Sequence, residues 1–321
     1  PRSSSAASDV YKRQEKRHFL PCKKYTKYMR REPKKASSVK EAYYELTKPS
    51  ITFMILISTA LGYFIGGNGI SNYQHFILTL LGSCMISSGA GALNHFAESE
   101  SDKVMYRTSL RPIPAGIISS KNAMIFGVAL VLIGSGLLYS FINPLTCVLA
   151  LITALMYLFV YTPLKKLTWL NTSIGAIPGS LPPIGGWVDS TGALDPEAWI
   201  LFAILFLWQH PHFYAIALMF KDDYKKAGLK MLPVEEPDGA RTNRQIIWHA
   251  LLLIPVSVMP VYINLLGMIY FWAALFLGIG YLLSGFMLAK QYSVNNARLV
   301  LKVSVFYLPI LFLTIMVDKL V

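Results

Sequence analysis

Residues 75–95 read HFILTLLGSCMISSGAGALNH, a run without a single Asp, Glu, Lys or Arg. About 20 mostly apolar residues are enough to carry a helix across a bilayer, so this stretch predicts a membrane-spanning helix. The chain then changes character at once: Asn94-His-Phe-Ala-Glu98-Ser-Glu-Ser-Asp102-Lys-Val-Met-Tyr-Arg107-Thr-Ser-Leu-Arg111-Pro112. An apolar helix thus ends in an acidic and then a basic segment at one membrane face.

Working outward, eight further runs have the same length and character, at about 50–67, 121–141, 143–162, 171–188, 197–219, 246–264, 267–289 and 299–317. The expected fold class is therefore an all-α polytopic membrane protein with nine transmembrane helices. Composition agrees, since 54% of residues are hydrophobic and only 15% charged, against roughly 25% charged in a soluble domain. An ordinary soluble enzyme is excluded. The fifth run holds Gly175, Pro178, Gly179, Pro182, Pro183, Gly185 and Gly186. Such a sequence is tolerated at membrane depth where neighbours or a cavity satisfy the freed backbone groups, so a broken, cavity-lining helix is expected.

Thirty Lys+Arg against 17 Asp+Glu give a net charge of +13, which in a soluble chain would suggest nucleic acid. Here the basic residues flank the apolar runs, so no nucleic-acid partner is expected. All but Lys319 lie before the first span or at the loops after the second, fourth, sixth and eighth. By the positive-inside rule the N-terminus and those loops face the cytoplasm and the C-terminus lies outside. The expected location is the cell membrane, plasma or inner. Cys22, Cys84 and Cys147 are far apart and offer no disulfide framework or metal motif.

Residues 1–40 are polar and basic, and read as a disordered leader ahead of a membrane domain over 41–321. The opening Pro1 in place of Met marks a fragment or a foreign leader. No apolar core of signal-peptide type precedes the first span. Residues 39–48 have the makings of an interfacial helix, with Tyr43, Tyr44 and Leu46 at headgroup level beside Lys40 and Lys48.

Ionisable residues at a membrane are candidate functional groups. Asn94, Glu98 and Asp102 stand at i, i+4 and i+8, which on a helix puts them within an arc of roughly 80° over about 12 Å. This oxygen-rich stripe suits Mg²⁺, which is usually held by one or two carboxylates together with substrate phosphates. Arg107 and Arg111 follow, and guanidinium forks match phosphate oxygens, so the pair of features suits a Mg²⁺-bound diphosphate. For any one residue the bland alternative is a solvated helix end or a topogenic charge.

A second loop, after the sixth run, carries Lys221, Asp222, Asp223, Lys225 and Lys226. Its aspartates are candidates to complete the metal site and its lysines to contact phosphate. Neighbouring helical residues point about 100° apart, so one aspartate at most should face the metal. Lys165 and Lys166 add charge on the same face. His210 and His212 are candidates for orienting a substrate or ligating iron, against the ordinary reading of helix-packing histidines. Trp208, Phe213, Tyr214, Trp187 and Tyr157 are candidate cavity-lining aromatics.

The pattern Asn94-x-x-x-Glu98-x-x-x-Asp102, with nine spans and a second acidic loop, resembles the UbiA superfamily of intramembrane prenyltransferases. The continuation Asp102-x-x-Met105-x-Arg107-Thr108-x-x-Arg111-Pro112-x-x-x-Gly116, and later His210-Pro-His212-Phe with Asp222-Asp223-Tyr224-x-x-Ala-Gly228-x-x-Met231-Leu232-Pro233, is similar to its haem-farnesylating branch, the haem O synthases. The resemblance covers about residues 42–318. It implies a bundle around a central intramembrane cavity and transfer of the farnesyl group of farnesyl diphosphate to a vinyl of haem B, with Mg²⁺ as cofactor. It further implies that Asn94, Glu98, Asp102 and Asp222 bind metal, with Asp223 joining them in catalysis. Arg107, Arg111, Lys165, Lys166 and Lys226 are then expected at the diphosphate, and His210 and His212 at haem. The implied partners are both substrates, the bilayer, and haem A synthase or terminal-oxidase assembly factors. The sequence departs from the wider superfamily in Glu98, where many members have Asp, and in its second acidic motif.

Two rivals share parts of this pattern. A related enzyme acting on a quinone precursor or another tetrapyrrole would share the diphosphate half. A transporter would also use intramembrane carboxylates and a broken helix, but near the bilayer midplane and with a two-half repeat.

Overall fold

A computed structural model of the chain describes residues 35–320, and the leader expected over 1–40 falls almost wholly outside them. The described residues form helices and no β-strand. The first, α1 (Val39–Leu46), starts where the Ser38 hydroxyl accepts the Glu41 N–H. Tyr44 is exposed, but Ala42 and Leu46 are fully buried against Ala92, Ile113, Ile118 and Ala123, and Tyr43 meets Phe126 edge-on at 4.9 Å. Leu46, expected among headgroups, instead docks α1 onto the protein.

The long helices follow the apolar runs: α2 (Pro49–Gly66), α3 (Tyr73–Ala97) with the short α4 (Ser99–Val104), and α5 (Ser120–Phe141). Next, α6 (Pro144–Leu155) continues through a π-helical stretch, Met156–Tyr161, so that the span covers Pro144–Leu164. Asn72, Ser119 and Asn143 cap their helices by accepting the N–H three residues on, and Pro49 and Pro144 sit where a missing N–H costs nothing.

The fifth run forms two halves, α7 (Asn171–Ser180) and α8 (Pro182–Thr191). Pro178, Pro182 and Pro183 remove three N–H donors, and the chain breaks at Leu181. Gln209, from α9 (Pro196–Met219), ties down the end of α7 at the break by donating Nε2 to the Ala176 carbonyl at 3.3 Å and to Ser180 Oγ at 2.8 Å. The short α10 (Lys221–Lys226) and α11 (Leu232–Glu235) lead to α12 (Ala240–Tyr262), α13 (Met268–Lys290) and α14 (Val294–Leu320). Among the described residues eight continuous helices are long and apolar enough to span a membrane, and the broken pair stands where the ninth was expected.

Two packing features set the interior. A Cβ on Gly62 would lie 1.9 Å from the Pro183 carbonyl oxygen, and one on Gly186 at 1.9 Å from that of Thr59. Backbones of α2 and α8 therefore touch directly, the close approach that small residues permit in membranes. Meanwhile α9 packs on α12, α14 and α7, and its Tyr214 shares one buried cluster with Tyr270, Tyr281 and Tyr307 of α13 and α14. Large apolar side chains remain outside, Phe159 at 72% and Tyr262 at 74% exposure. Apolar surface of this extent fits a lipid-facing exterior.

Candidate active site

One cavity of about 510 Å³ lies between α2, α3, α6, α7, α8 and α9. Much of its wall is apolar, including Ile55, Ile86, Leu149, Leu181, Leu205 and Phe213. Charge enters it through Lys48, Glu98, Asp102, Arg107, Arg111 and Lys165, accompanied by Tyr157, Tyr161 and Tyr224. Four cations against two carboxylates leave this part of the cavity positive, as an anionic ligand requires.

The expected stripe survives a local irregularity at Glu98, because the Glu98 N–H still reaches the Asn94 carbonyl at 2.9 Å and the Asp102 N–H that of Glu98 at 2.8 Å. Each stripe residue has its own cationic partner. Lys48 Nζ donates to Asn94 Oδ1, Lys165 Nζ to Glu98 Oε1 at 2.5 Å, and Arg111 Nη1 to both oxygens of Asp102 at 2.9 and 2.7 Å. Burial raises the Glu98 carboxyl, but Lys165 and Lys48 overcome it and hold Glu98 at about 2. Burial opposes charge on Lys165 as well, yet Tyr161 and Glu98 push its pKa above the usual lysine range. Lys48 is pulled down to about 7, by burial first and then by Arg111.

Arg107 also lines the cavity, its guanidinium 4.9 Å from the Phe220 ring centre and 5.8 Å from that of Tyr224, with a 3.3 Å hydrogen bond from Nη2 to the Tyr224 hydroxyl. Its Nε is buried without a partner. The two aspartates of the second loop separate: Asp222 is exposed, whereas Asp223 is 1% exposed with both carboxylate oxygens unpartnered. Lys166 and Lys226, expected at the diphosphate, are exposed and are not part of the cavity wall.

The histidines separate too. His210 is fully buried, with Nδ1 on the Phe206 carbonyl at 2.7 Å, Nε2 on Ser173 Oγ at 3.1 Å, and its ring stacked 3.8 Å from His249. It packs helices and does not line the cavity. His212 does line it, stacked on Trp208 at 4.9 Å, with Nδ1 2.7 Å from Ser304 Oγ. Because Ser304 Oγ donates its proton to the Leu301 carbonyl at 2.7 Å, His212 Nδ1 is the donor to Ser304. That tautomer leaves Nε2 with its lone pair. Of the five candidate aromatics, Trp208, Phe213 and Tyr157 line the cavity. Trp187 instead donates to Asp195 Oδ2 at 2.7 Å, and Tyr214 is fully buried.

Among the described residues no three His, Cys, Asp or Glu side chains converge as a metal cage. Mg²⁺ needs no such cage when phosphate oxygens complete its shell. The oxygens of Asn94, Glu98 and Asp102, beside Lys48, Lys165 and Arg111, fit a divalent ion that arrives with a diphosphate. Lys48 is the residue that sequence reasoning missed, having been assigned to the headgroups. Its only signal was its place, a lone cation immediately before Pro49 and the first apolar run.

Residues 55–309 match the model of the UbiA prenyltransferase family. The chain is 44% identical over 286 residues to a protoheme IX farnesyltransferase of Solibacter usitatus (strain Ellin6076), covering 86% of this chain and 98% of the relative. It is 42% identical over 276 residues to that of Salinibacter ruber (strain DSM 13855 / M31), with coverage of 86% and 98%. Among solved structures it is similar to a digeranylgeranylglyceryl phosphate synthase, with a TM-score of 0.74 at 21% identity over 88% of this chain and 98% of that one. It is also similar to a UbiA homologue from Archaeoglobus fulgidus bound to GPP and Mg²⁺, with a TM-score of 0.62 at 19% identity over 86% and 99%.

Proposed function

The chain belongs to the UbiA prenyltransferase family, and from that premise we propose that it joins the farnesyl group of farnesyl diphosphate to a vinyl group of haem B, giving haem O and diphosphate. The observation that carries this reading is the continuity of one cavity from the Glu98–Asp102 end, beside buried Asn94, to His212. Its apolar wall suits an isoprenoid, and the names of its relatives support haem as the acceptor.

Cleavage of the allylic carbon–oxygen bond leaves a farnesyl cation while negative charge grows on diphosphate. Arg107, Arg111 and Lys165 are cations held at the cavity wall beside that growing charge, the kind of arrangement that lowers a barrier because it needs little reorganisation. Magnesium bound with the diphosphate supplies further charge neutralisation. Asn94, Glu98 and Asp102 would hold that complex from the end of α3 and from α4, and Asp223, outside the cavity wall but buried with both carboxylate oxygens unpartnered, rather than exposed Asp222, is the second-loop carboxylate assigned to it. The haem vinyl then supplies the electron pair for the new carbon–carbon bond. Water adds to the resulting cation beside the macrocycle and loses a proton, which balances the hydroxyethylfarnesyl product. His212, with Nε2 free to accept or ligate, is assigned to the haem. His210, with both ring nitrogens engaged, is not.

The protein is a multi-pass membrane protein, and the distribution of its basic residues favours cytoplasmic acidic loops in the cell membrane. Extraction of haem from membranes expressing the chain tests the whole reading. A haem heavier by one farnesyl group and one hydroxyl is expected. Unmodified haem B with a prenylated quinone precursor would move the enzyme to another acceptor.

A further inference from the structure

The elbow between α1 and α2 is built to bring one lysine to one amide. Lys48 itself has left-handed backbone angles, φ 48° and ψ 59°, a conformation that a non-glycine residue adopts only where its surroundings impose it. The surroundings are visible. Ala42 and Leu46 are locked into the α3 and α5 packing, Thr52 Oγ1 donates back to the Thr47 carbonyl at 2.9 Å, and Pro49 fixes the start of α2. Gly91 on α3 receives the elbow: a Cβ there would meet the Leu46 carbonyl oxygen at 3.1 Å and that of Thr47 at 3.3 Å. Asn94 lies one turn further along α3.

The Asn94 amide is oriented from its other side. Thr162 Oγ1 donates to the Tyr157 carbonyl at 2.9 Å, so it accepts from Asn94 Nδ2, also at 2.9 Å. The amide nitrogen is thereby fixed toward Thr162, and Oδ1, the atom able to ligate a cation, is turned toward Lys48. Lys48 Nζ has a second partner in the Tyr157 hydroxyl at 3.1 Å. A half-buried ammonium thus sits on the one stripe ligand that carries no charge of its own.

We propose that Lys48 is a stand-in cation: in the substrate-free protein its ammonium occupies the Asn94 oxygen, and it transfers to phosphate when a metal–diphosphate arrives and takes that oxygen. This rests on the reading of Asn94 as a metal ligand. Lys48 is then a positioning residue that makes metal and diphosphate binding interdependent, since the metal gains Asn94 only when phosphate offers the lysine another anion. By reciprocity the metal strengthens diphosphate binding to the same degree.

The test is Mn²⁺ binding to the full chain in detergent, read as free Mn²⁺ by electron paramagnetic resonance, with and without inorganic diphosphate. Without diphosphate, Lys48→Met is expected to bind Mn²⁺ about tenfold to a hundredfold more tightly than the wild type, the worth of one charge-assisted hydrogen bond released. The gain should vanish when Asn94→Ala is added. Arg107→Met, which removes a cavity cation that does not touch the stripe, should give little of it. Lys48→Gln serves if the methionine variant does not fold, and Lys48→Arg should keep the wild-type affinity. Equal Mn²⁺ affinity in wild type and Lys48→Met, or a gain that survives Asn94→Ala or is matched by Arg107→Met, overturns the stand-in role. Absence of Mn²⁺ binding in every variant, even with diphosphate, overturns the metal–diphosphate reading itself.

Discussion

Arg111 holds Asp102 by both carboxylate oxygens from a single guanidinium nitrogen, at 2.9 and 2.7 Å, and the Asp102 side chain is fully enclosed. Removing one member of such a pair leaves the other buried and unbalanced, which typically costs about 3–5 kcal/mol for a fully buried pair and less where one partner is 23% exposed, as Arg111 is. Arg111→Ala should therefore lower the melting temperature in detergent as well as turnover. Arg111→Lys should recover much of the stability and little of the activity. Equal melting of wild type and Arg111→Ala would show that the pair does not hold the fold.

Asn94→Ala, Glu98→Ala and Asp102→Ala should each reduce farnesyl transfer by about 10²–10³, the usual loss for one contact to developing charge. Magnesium chelation should stop turnover. Within the second loop, Asp223→Asn should be far more damaging than Asp222→Asn. Rates from single-turnover assays with membrane protein matched for expression decide this.

Two histidines two residues apart should behave oppositely. His212→Ala should weaken haem binding, followed by absorbance titration, while retention of labelled farnesyl diphosphate stays near wild type. His210→Ala breaks hydrogen bonds to Ser173 and Phe206 and the stack on His249, so it should lower thermal stability while leaving haem affinity in the surviving protein intact.

Gly62→Ala and Gly186→Ala each place a methyl group inside a neighbouring backbone. Overpacking of this kind costs about 1–3 kcal/mol or more. Both variants should melt earlier or fail to accumulate, measured by fluorescence-detected chromatography after heating. Gly185→Ala, on the same half-helix but facing open space, is the matched control.

A cysteine placed near Asp195 should react with an impermeant reagent from outside, and one near Gly239 only after the membrane is opened. The reverse pattern would turn the whole molecule over.

The spans were readable because a bilayer imposes one length on every crossing, and the break in the fifth was readable because proline removes donors wherever it stands. The Asn94–Glu98–Asp102 alignment followed from helical spacing. What the sequence withheld depends on tertiary packing. Asp222 and Asp223 are equivalent in any local reading, and only the docking of α10 buries the second. The same holds for His210 and His212, which α12 and α14 claim respectively through His249 and Ser304. Lys48 was hidden because its position depends on the docking of α1, and Lys166 and Lys226 looked equal to Lys165 because charge alone does not say which lysine turns inward.

The π-helical stretch Met156–Tyr161 gives the fourth span a built-in phase adjustment. Up to Tyr157 the cavity side of this helix follows ordinary spacing, through Thr146, Leu149, Ala150, Thr153 and Ala154; beyond it Tyr161 and Lys165 keep to the cavity at steps of four. The Thr162 N–H closes its ring on the Tyr157 carbonyl, five residues back, so one residue is absorbed without advancing the face. A single deletion there would restore α-helical winding and swing everything after it by about 100°. Lys165 would leave Glu98 and Thr162 would leave Asn94, with the helix itself left whole. Chain length within this one turn is therefore under a constraint that residue identity does not express: substitutions can be absorbed, while a change of count uncouples two helices.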